Sequence, residues 1–323
     1  MSKPNYTSDV EAANAFKENY EQLTAEISKV IVGQEDTVRL LLTAVFCQGH
    51  CLLVGVPGLA KTLLIQTIAS VMDLSFNRIQ FTPDLMPSDI LGSETLDNDR
   101  HFKFIKGPVF ANIILADEIN RTPPKTQSAL LEAMQEYSVT VAGVKHELEK
   151  PFFVLATQNP SEQEGTYPLP EAQLDRFIFM VKLDYPTYEQ ELQIVKNTTS
   201  DQKVKLSTVI SKTDIKYFQK LVRRVPVADN VVEYAVSLVQ KTRPNTENAS
   251  QVAKDYLEWG AGPRASQNLI LAAKCNALIN GKYSPDIEDV VAVSSAILQH
   301  RIVRNFRAEA EGQNVNDLID KLV

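Results

Sequence analysis

Residues 51–72 constrain the fold of this chain more than any other stretch. The four apolar residues Cys51 to Val54 predict a buried strand, a Gly/Pro break follows at 55–58, and Lys61 and Thr62 begin an apolar segment of helical length. A glycine-containing loop between a strand and a helix directs several backbone N–H groups and the positive end of the helix dipole at one point. The stretch therefore predicts a cradle for the phosphate groups of a nucleotide.

Two side chains in this cradle suit a magnesium-bound triphosphate. Lys61 is placed to reach the β- and γ-phosphates, and the Thr62 hydroxyl is placed to be one ligand of Mg²⁺. The pattern G-x-x-x-x-G-K-S/T is broken at Ala60, which is tolerable if this residue has right-handed helical φ and ψ, since only a left-handed conformation would demand glycine. An accidental Lys-Thr pair after an ordinary turn is the alternative. The predicted nucleotide contacts in the loop are Gly55, Val56, Pro57, Gly58, Leu59, Ala60, Lys61, Thr62 and Leu63.

The composition is that of an ordinary globular protein and disfavours several functional classes. A chain of 323 residues can bury a large core, and its length predicts two domains. The net charge of −7 argues against broad, nonspecific nucleic-acid binding, although it is compatible with a local basic channel. No apolar run approaches the length of about eighteen residues that a membrane span needs, and residues 1–6 have no apolar signal core. We therefore expect a cytoplasmic protein without a membrane span.

The three cysteines, Cys47, Cys51 and Cys275, are too few for a disulfide framework. Cys47, His50 and Cys51 together offer three zinc ligands. However, Cys51 begins the strand that leads into the loop, and no second Cys/His cluster lies nearby in the sequence. We therefore predict buried structural cysteines rather than a zinc site.

Acidic side chains follow the third apolar run, 113–116, at Asp117 and Glu118. Two carboxylates at the carboxyl tip of a buried strand are costly unless they bind something, and this tip should open onto a crevice beside the phosphate loop. Asp117 is predicted to hold Mg²⁺ through water, and Glu118 to polarise the attacking water. The alternative is a pair of solvated turn acids that cap a helix at 123–134.

A fourth predicted strand, 152–156, precedes Asn159. The Asn159 side chain can reach the γ-phosphate or the attacking water, and the alternative is an Asx turn before proline. Two further strands are predicted at 75–81 and 177–181. Hairpins are predicted at 92–107, with the turn at Asp97 to Asp99, and at 138–148, with the turn at Ala142 and Gly143.

Helical patterns occupy both ends of the chain. Residues 9–30 and the stretch around 38–45 precede the first strand, and only helices are predicted from about residue 186. In that region Arg264 follows a Gly/Pro break at a helix start, where it is either a surface charge or a cation directed at the nucleotide. The predicted domains are an N-terminal helix packing on the core at 1–30, an α/β nucleotide-binding domain at 31–186 and a helical lid at 187–323.

Four phrases in order along the chain resemble a known family. They are Gly55 to Thr62, Leu115 to Arg121, Ala156 to Pro160 and Gly165 to Phe177, and together they are similar to the MoxR family of AAA+ ATPases over about residues 31–310. Ala60, unusual against the general phosphate-loop pattern, is familiar in that family. The resemblance implies a P-loop α/β fold, in which a five-stranded parallel sheet is sandwiched by helices and an all-α lid follows. The two predicted hairpins match the helix-2 insert and the hairpin before sensor 1 in this branch.

The resemblance also implies a role for individual residues. It assigns 55–62 to the Walker A loop, Asp117 and Glu118 to Walker B, Asn159 to sensor 1, Arg176 to an arginine finger for the neighbouring subunit, Arg264 to sensor 2, and Gly33 and Gln34 to the segment beside the adenine. Arg121 also lies near a plausible subunit edge and is the alternative finger. The family works as a ring, commonly a hexamer, so a homo-oligomer is expected.

The function that follows is Mg²⁺-dependent ATP hydrolysis by direct attack of water, with Lys61, Glu118, Asn159 and Arg176 as the catalytic residues. The resemblance implies coupling to chaperone-like remodelling of protein clients, among them proteins with von Willebrand factor A domains. One alternative is a nucleic-acid motor, but the acidic stretch Asp97 to Asp99 suits DNA poorly. The others are a nucleotide switch without catalytic turnover and the ATPase subunit of a metal chelatase.

Overall fold

The computed structural model describes residues 6–96, 101–160, 165–201 and 204–323 of the chain. The predicted turn at Asp97 to Asp99 lies outside these residues. The strands are β1 Cys51–Val54, β2 Phe76–Gln80, β3 Gly92–Leu96, β4 Phe102–Lys106, β5 Ile113–Asp117, β6 Ser138–Val141, β7 Val144–Glu147, β8 Phe153–Gln158, β9 Phe179–Lys182, β10 Leu257–Trp259 and β11 Val303–Arg304. The helices are α1 Asp9–Ile27, α2 Glu35–Phe46, α3 Lys61–Val71, α4 Pro87–Leu91, α5 Pro124–Glu136, α6 Glu171–Leu174, α7 Tyr188–Thr198, α8 Lys212–Arg224, α9 Asp229–Lys241, α10 Gln251–Tyr256, α11 Pro263–Ile279, α12 Ile287–Leu298, α13 Phe306–Ala310 and α14 Val315–Asp320, and a 3-10 turn occupies Ile119–Arg121.

A five-stranded sheet forms the centre of the nucleotide-binding part, with the strand order β2-β5-β8-β1-β9. The pairs β2–β5, β5–β8 and β1–β8 are parallel, and Cys51 of β1 lies opposite Leu155 of β8. β9 continues beside β1, where the Leu183 N–H donates to the Val54 carbonyl at 2.8 Å. The apolar runs of β1, β5 and β8 are buried, as expected for parallel strands covered on both faces. The predicted sheet is confirmed.

Both predicted hairpins are present outside this sheet. β3 pairs with β4 and β6 pairs with β7, each in antiparallel register. The turn between β6 and β7 has positive φ at Ala142 and Gly143, which are the residues predicted for it. The Ala-Gly turn signal in the sequence was therefore sufficient to locate this hairpin.

The C-terminal region is helical, as predicted, with one departure. β10 and β11 form a short antiparallel ladder in which Leu257 lies opposite Arg304 and Trp259 opposite Val303. The expectation of helices alone was wrong here, because two- and three-residue strands carry too few residues for a period-2 pattern. The start of α12 follows prediction, since the Asp286 side chain accepts the Asp289 N–H at 3.3 Å as an N-cap.

The chain forms two compact units. The first contains the described residues of 19–169 and 181–216, and the second those of 5–18, 170–180 and 217–323. These units interleave along the sequence, so the domain boundaries expected after residues 30 and 186 stay predictions. None of the helices in the described ranges is both long and apolar enough to cross a lipid bilayer.

Candidate nucleotide site

The phosphate loop connects β1 to α3, and its first glycine is required by a close neighbour. A Cβ at Gly55 would lie 2.9 Å from the Cβ of Leu183 and 3.3 Å from its carbonyl oxygen. Gly58 has φ of +88°, a value that side chains rarely adopt. The two glycines therefore serve different purposes, since the first allows a close approach and the second allows a left-handed turn.

Ala60 does not have the right-handed conformation in which an alanine would be free of strain. It has φ of 54° and ψ of 27° and immediately precedes the first residue of α3, so it is left-handed rather than right-handed. The neighbouring Leu59 is buried, and the chain must turn from this inward-facing residue directly into the helix. A left-handed alanine costs about 1–2 kcal/mol. The phosphate loop thus holds local backbone strain, which is common at ligand sites.

Gly33 and Gln34 lie against the same loop. The Gln34 side-chain amide donates to the Leu59 carbonyl at 3.3 Å. Gly33 has φ of +74°, and a Cβ there would lie 2.3 Å from the Gln190 side chain. Gln34 therefore contacts the phosphate loop through its side chain. The contact of Gly33 and Gln34 with adenine stays a prediction.

The loop, the tips of two strands and part of β2 enclose a cleft of about 480 Å³. The side chains of Asp117 and Glu118 from the end of β5 and Asn159 after β8 face the same space as Lys61 and Thr62. The full lining is Pro57, Gly58, Leu59, Ala60, Lys61, Thr62, Leu63, Arg78, Asp117, Glu118, Thr157 and Asn159. The structure thus brings together residues that lie about one hundred positions apart in the sequence.

Thr157 links the two acids to β8. Its hydroxyl donates to Asp117 Oδ1 at 2.6 Å and accepts the Glu118 N–H at 2.9 Å. Glu118 itself has φ of 57° and ψ of 49°, a left-handed conformation that is rare for a residue with a side chain. The hydroxyl therefore fixes both the Asp117 carboxylate and the strained turn that follows it.

Three more polar side chains contact the acids, and sequence reasoning missed two of them. The Arg78 guanidinium lies 2.6 Å from Asp117 Oδ2, and the Gln80 amide donates to Glu118 Oε2 at 3.0 Å. Arg121 donates to the same Glu118 oxygen at 2.9 Å. Arg78 and Gln80 are two residues apart in β2, so their side chains lie on the same face of the sheet, beside the end of β5. This spacing is the one signal in the sequence that could have found them.

Lys61 is half-buried at the start of α3. Its ammonium donates to the Gly55 carbonyl of the loop. Burial lowers the pKa of Lys61, while the negative charges of Asp117 and Glu118 act in the opposite direction. A lysine whose ammonium lies at the phosphate loop is suited to binding a polyanion.

The oxygen ligands in the cleft fit Mg²⁺. Thr62 offers a hydroxyl and Asp117 a carboxylate, which are hard oxygen donors, and few protein ligands are needed because this cation keeps several waters. Cys47, His50 and Cys51, weighed as zinc ligands from the sequence, are all buried. The His50 ring bonds the Met134 carbonyl at 3.1 Å and accepts the Val154 N–H at 3.0 Å, and all three cysteine side chains are buried.

Arg176 and Arg264 belong to the second compact unit. Arg264 is exposed in the first turn of α11 and donates to Asp175 Oδ2 at 2.9 Å. Arg176 is half-buried, directly after Asp175. Their predicted actions on a nucleotide stay predictions.

Two family models match the chain. The model described as the ATPase family associated with various cellular activities (AAA) matches residues 50–179, and the AAA lid domain matches residues 249–322. The first match contains the whole cleft lining, and the second contains Arg264. The match boundaries therefore agree with an α/β nucleotide-binding region followed by a helical region.

Similar proteins extend this likeness over nearly the whole chain. The uncharacterized protein YeaC of Bacillus subtilis is 42% identical over 92% of this chain and 91% of its own length. Chaperone MoxR1 of Mycobacterium tuberculosis is 41% identical over 94% of this chain and 80% of its own length. A crystal structure from Cytophaga hutchinsonii, named as a candidate ATPase, has a TM-score of 0.90 and 42% identity, and covers 97% of this chain and 95% of its own.

Proposed function

The chain belongs to the MoxR family of AAA+ ATPases and hydrolyses ATP, and from that premise we propose that hydrolysis requires Mg²⁺, takes place in the cleft at the phosphate loop and depends on assembly into a ring. The observation that carries the proposal is the gathering of Lys61, Thr62, Asp117, Glu118 and Asn159 around one cleft. These are the residue types that phosphoryl transfer to water needs, namely a phosphate cation, a magnesium ligand pair, a water-polarising carboxylate and a polar positioning group.

Each residue has a distinct task in this proposal. The loop amides and Lys61 bind the phosphates, while Glu118 and Asn159 orient the attacking water. The water oxygen forms a bond to the γ-phosphorus as the bond to the β–γ bridging oxygen breaks, and ADP is the leaving group. Mg²⁺, bound by Thr62 and through water by Asp117, would supply positive charge to the phosphate oxygens.

The ion pairs on the two acids are compatible with this role because they are easily exchanged. The Arg78 and Arg121 side chains are 48% and 46% exposed. Exposed pairs of this kind contribute about 0–1 kcal/mol, so a charged ligand can replace either arginine at little cost. Arg78 and Arg121 therefore hold the acids in place without blocking the site.

We propose Arg176 as the arginine that completes the nucleotide site of a neighbouring subunit. The alternative, Arg121, already bonds Glu118 within its own chain. An arginine supplied in trans is worth about 10³ to 10⁵ in rate, so an isolated subunit should be nearly inactive. We propose a homo-oligomeric ring, commonly a hexamer in the family, with Arg264 directed at the nucleotide from the lid.

Client remodelling is the proposed outcome of turnover. The relative from Mycobacterium tuberculosis carries the name chaperone, and the family resemblance adds proteins with von Willebrand factor A domains as partners. We propose that this chain likewise remodels or matures protein clients in the cytoplasm. The relatives do not favour the nucleic-acid motor or the chelatase subunit.

The variant Glu118→Gln tests the proposal. It keeps the size of the side chain but removes the charge that polarises water, so kcat should fall at least about 10²-fold while ATP binding is retained. Phosphate release and binding of a fluorescent ATP analogue are measured on the assembled protein, with and without EDTA. Glu136→Gln, at the exposed end of α5, is the matched control. Undiminished hydrolysis by Glu118→Gln, or hydrolysis that survives EDTA, would refute the assignment.

A further inference from the structure

The segment 170–180, which carries Arg176, is held by one buried guanidinium in the second unit. Arg301 follows α12, and its side chain is only 1% exposed. Its Nε donates to Asp175 Oδ1 at 2.8 Å, and its Nη2 donates to the Phe177 carbonyl at 2.6 Å. Its Nη1 donates to the Ile178 carbonyl at 3.3 Å. The contacts of Arg301 thus lie on both sides of Arg176.

The two residues before Arg301 also contact this segment. The Gln299 amide donates to the Met180 carbonyl at 2.7 Å, and His300 Nε2 lies 3.0 Å from the Phe177 carbonyl. Three consecutive side chains, 299–301, therefore lie within hydrogen-bonding distance of the backbone or side chain of 175–180. We call this set of contacts the 299–301 clamp.

The chemistry of the clamp explains why an arginine stands at position 301. A guanidinium presents five N–H donors in a rigid plane, so it can bond a carboxylate and several carbonyls at once, whereas an ammonium has three donors at a single point. A cation this deeply buried is costly unless it is paired and fully hydrogen-bonded. Asp175 supplies the charge, and the carbonyls of 177 and 178 supply acceptors.

Asp175 joins the clamp to the exposed surface of the same unit. Its Oδ1 bonds buried Arg301, and its Oδ2 bonds exposed Arg264 at 2.9 Å. The first bond is sheltered from water, while the second is solvated and can exchange with another anion at small cost. The Asp175 carboxylate thus has one buried partner and one exposed partner, and another anion can replace it at the exposed one.

Arg176 has no such restraint on its own side chain. Within residues 6–96, 101–160, 165–201 and 204–323, its guanidinium makes no hydrogen bond or ion pair, and only its N–H is bonded, to the Gln173 carbonyl at 3.2 Å. The backbone on either side is fixed by Arg301 while the Arg176 guanidinium stays available. This is the arrangement expected for a side chain that must be presented at a defined place.

We propose that Asp175 and Arg301 are positioning residues for Arg176, so that they set the position from which Arg176 acts on the nucleotide of a neighbouring subunit. The inference rests on the proposed function, because it assumes that Arg176 acts in trans. It adds that the defect of a clamp variant lies in what the subunit offers to its neighbour. The nucleotide site of the same subunit should remain intact.

The variant Asp175→Asn tests this by subunit mixing. The amide keeps the side-chain size but loses the charge that pairs with Arg301 and turns an N–H donor toward one of the two arginines. Misplacing a catalytic group by about 1 Å can cost about 10²-fold in rate, so kcat should fall by about that factor with binding of a fluorescent ATP analogue unchanged. Mixed with Lys61→Ala, which lacks a working nucleotide site but keeps Arg176, Asp175→Asn should regain activity.

The controls separate the clamp from its premise. Asp255→Asn makes the same chemical change at a carboxylate of similar exposure, 34% against 30%, that pairs with Arg307 in the same unit, and it should leave kcat unchanged. A mixture of Arg176→Ala with Lys61→Ala reports whether Arg176 acts in trans. Assembly of every mixture is confirmed by mass photometry. If Asp175→Asn does not fold, Asp175→Glu, which keeps the charge but shifts the carboxylate, should show a smaller defect that mixing also restores.

Each result decides one question. Rescue of both Arg176→Ala and Asp175→Asn supports the clamp. Rescue of Arg176→Ala without rescue of Asp175→Asn places the Asp175 defect in its own site and overturns the clamp alone. Full activity of unmixed Asp175→Asn also overturns it. Failure of both mixtures overturns the action of Arg176 in trans and the clamp with it, whereas loss of hydrolysis in Glu118→Gln still stands as the test of the cleft.

Discussion

Two arginine–aspartate pairs in this protein have nearly the same geometry and opposite surroundings. Arg78 lies 2.6 Å from Asp117 at the cleft with 48% of its side chain exposed, and Arg301 lies 2.8 Å from Asp175 with 1% exposed. Water reaches the guanidinium of the first pair and is kept from the guanidinium of the second. The distance between charges therefore says little about their roles. The exposed pair can be exchanged for a ligand, and the buried pair fixes the chain.

The backbone of the cleft shows how the exchangeable site is nevertheless kept in shape. Ala60 and Glu118 both have positive φ, at 54° and 57°, at the two places where the chain leaves a loop or strand beside the cleft. Each is stabilised by a neighbour, since Leu59 is buried beside Ala60 and Thr157 bonds the Glu118 N–H. At the cleft, backbone turns fixed by their neighbours thus lie beside exposed ion pairs, whereas at 175–178 the ion pair itself fixes the backbone.

The largest predicted effect distinguishes the two pairs directly. Arg301→Met should destabilise the second unit by about 3–5 kcal/mol, because it leaves Asp175 without its buried partner and several carbonyls without donors. Arg78→Met should cost less than about 1 kcal/mol. Urea unfolding measures both. The fluorescence of Trp259, the only tryptophan in the sequence, reports on the second unit, and far-UV circular dichroism reports on the helices of both units. Equal losses for the two variants would contradict the contrast.

A second prediction extends the contrast to a buried group that titrates. Burial lowers the pKa of His50 from 6.5 to about 4. As the pH falls through 6.5 the unfolded chain takes up the proton first, so stability is full above pH 6.5 and is lost as the pH approaches 4. The loss at His50 should reach about 3 kcal/mol near pH 4.

The measurement compares unfolding free energies at several pH values between 7 and 4.5 by circular dichroism. His50→Gln can keep one donor and one acceptor but does not titrate, so its stability should fall less steeply with pH than that of the unmodified chain. His101→Gln changes an exposed histidine and should keep the original slope. An identical slope in His50→Gln would show that other groups determine the acid sensitivity of this unit.

The contrast also explains which features the sequence could predict. The sheet strands, both hairpins and the cleft residues of the phosphate loop, Asp117, Glu118 and Asn159 follow from apolar runs, turn residues and one motif, all of which are local patterns. The contacts of Arg78 with Asp117 and of Arg301 with Asp175 join residues 39 and 126 positions apart. No local pattern marks a partner at such separations, and an isolated arginine reads as a surface charge. Side-chain pairs between distant residues are therefore seen only in the folded structure.

Ala60 is left-handed where a right-handed conformation would be free of strain, and its replacement has the smallest predicted effect. Ala60→Gly removes a left-handed strain of about 1–2 kcal/mol and adds unfolded-chain entropy worth about 0.4–1 kcal/mol, so the first unit should gain up to about 1 kcal/mol. Ala25→Gly, at an exposed position inside α1, should instead lose about 1 kcal/mol. Urea unfolding followed by circular dichroism distinguishes the opposite signs. A loss in Ala60→Gly equal to that in Ala25→Gly would mean that residue 60 is right-handed in solution, in which case the phosphate loop would hold no strain there.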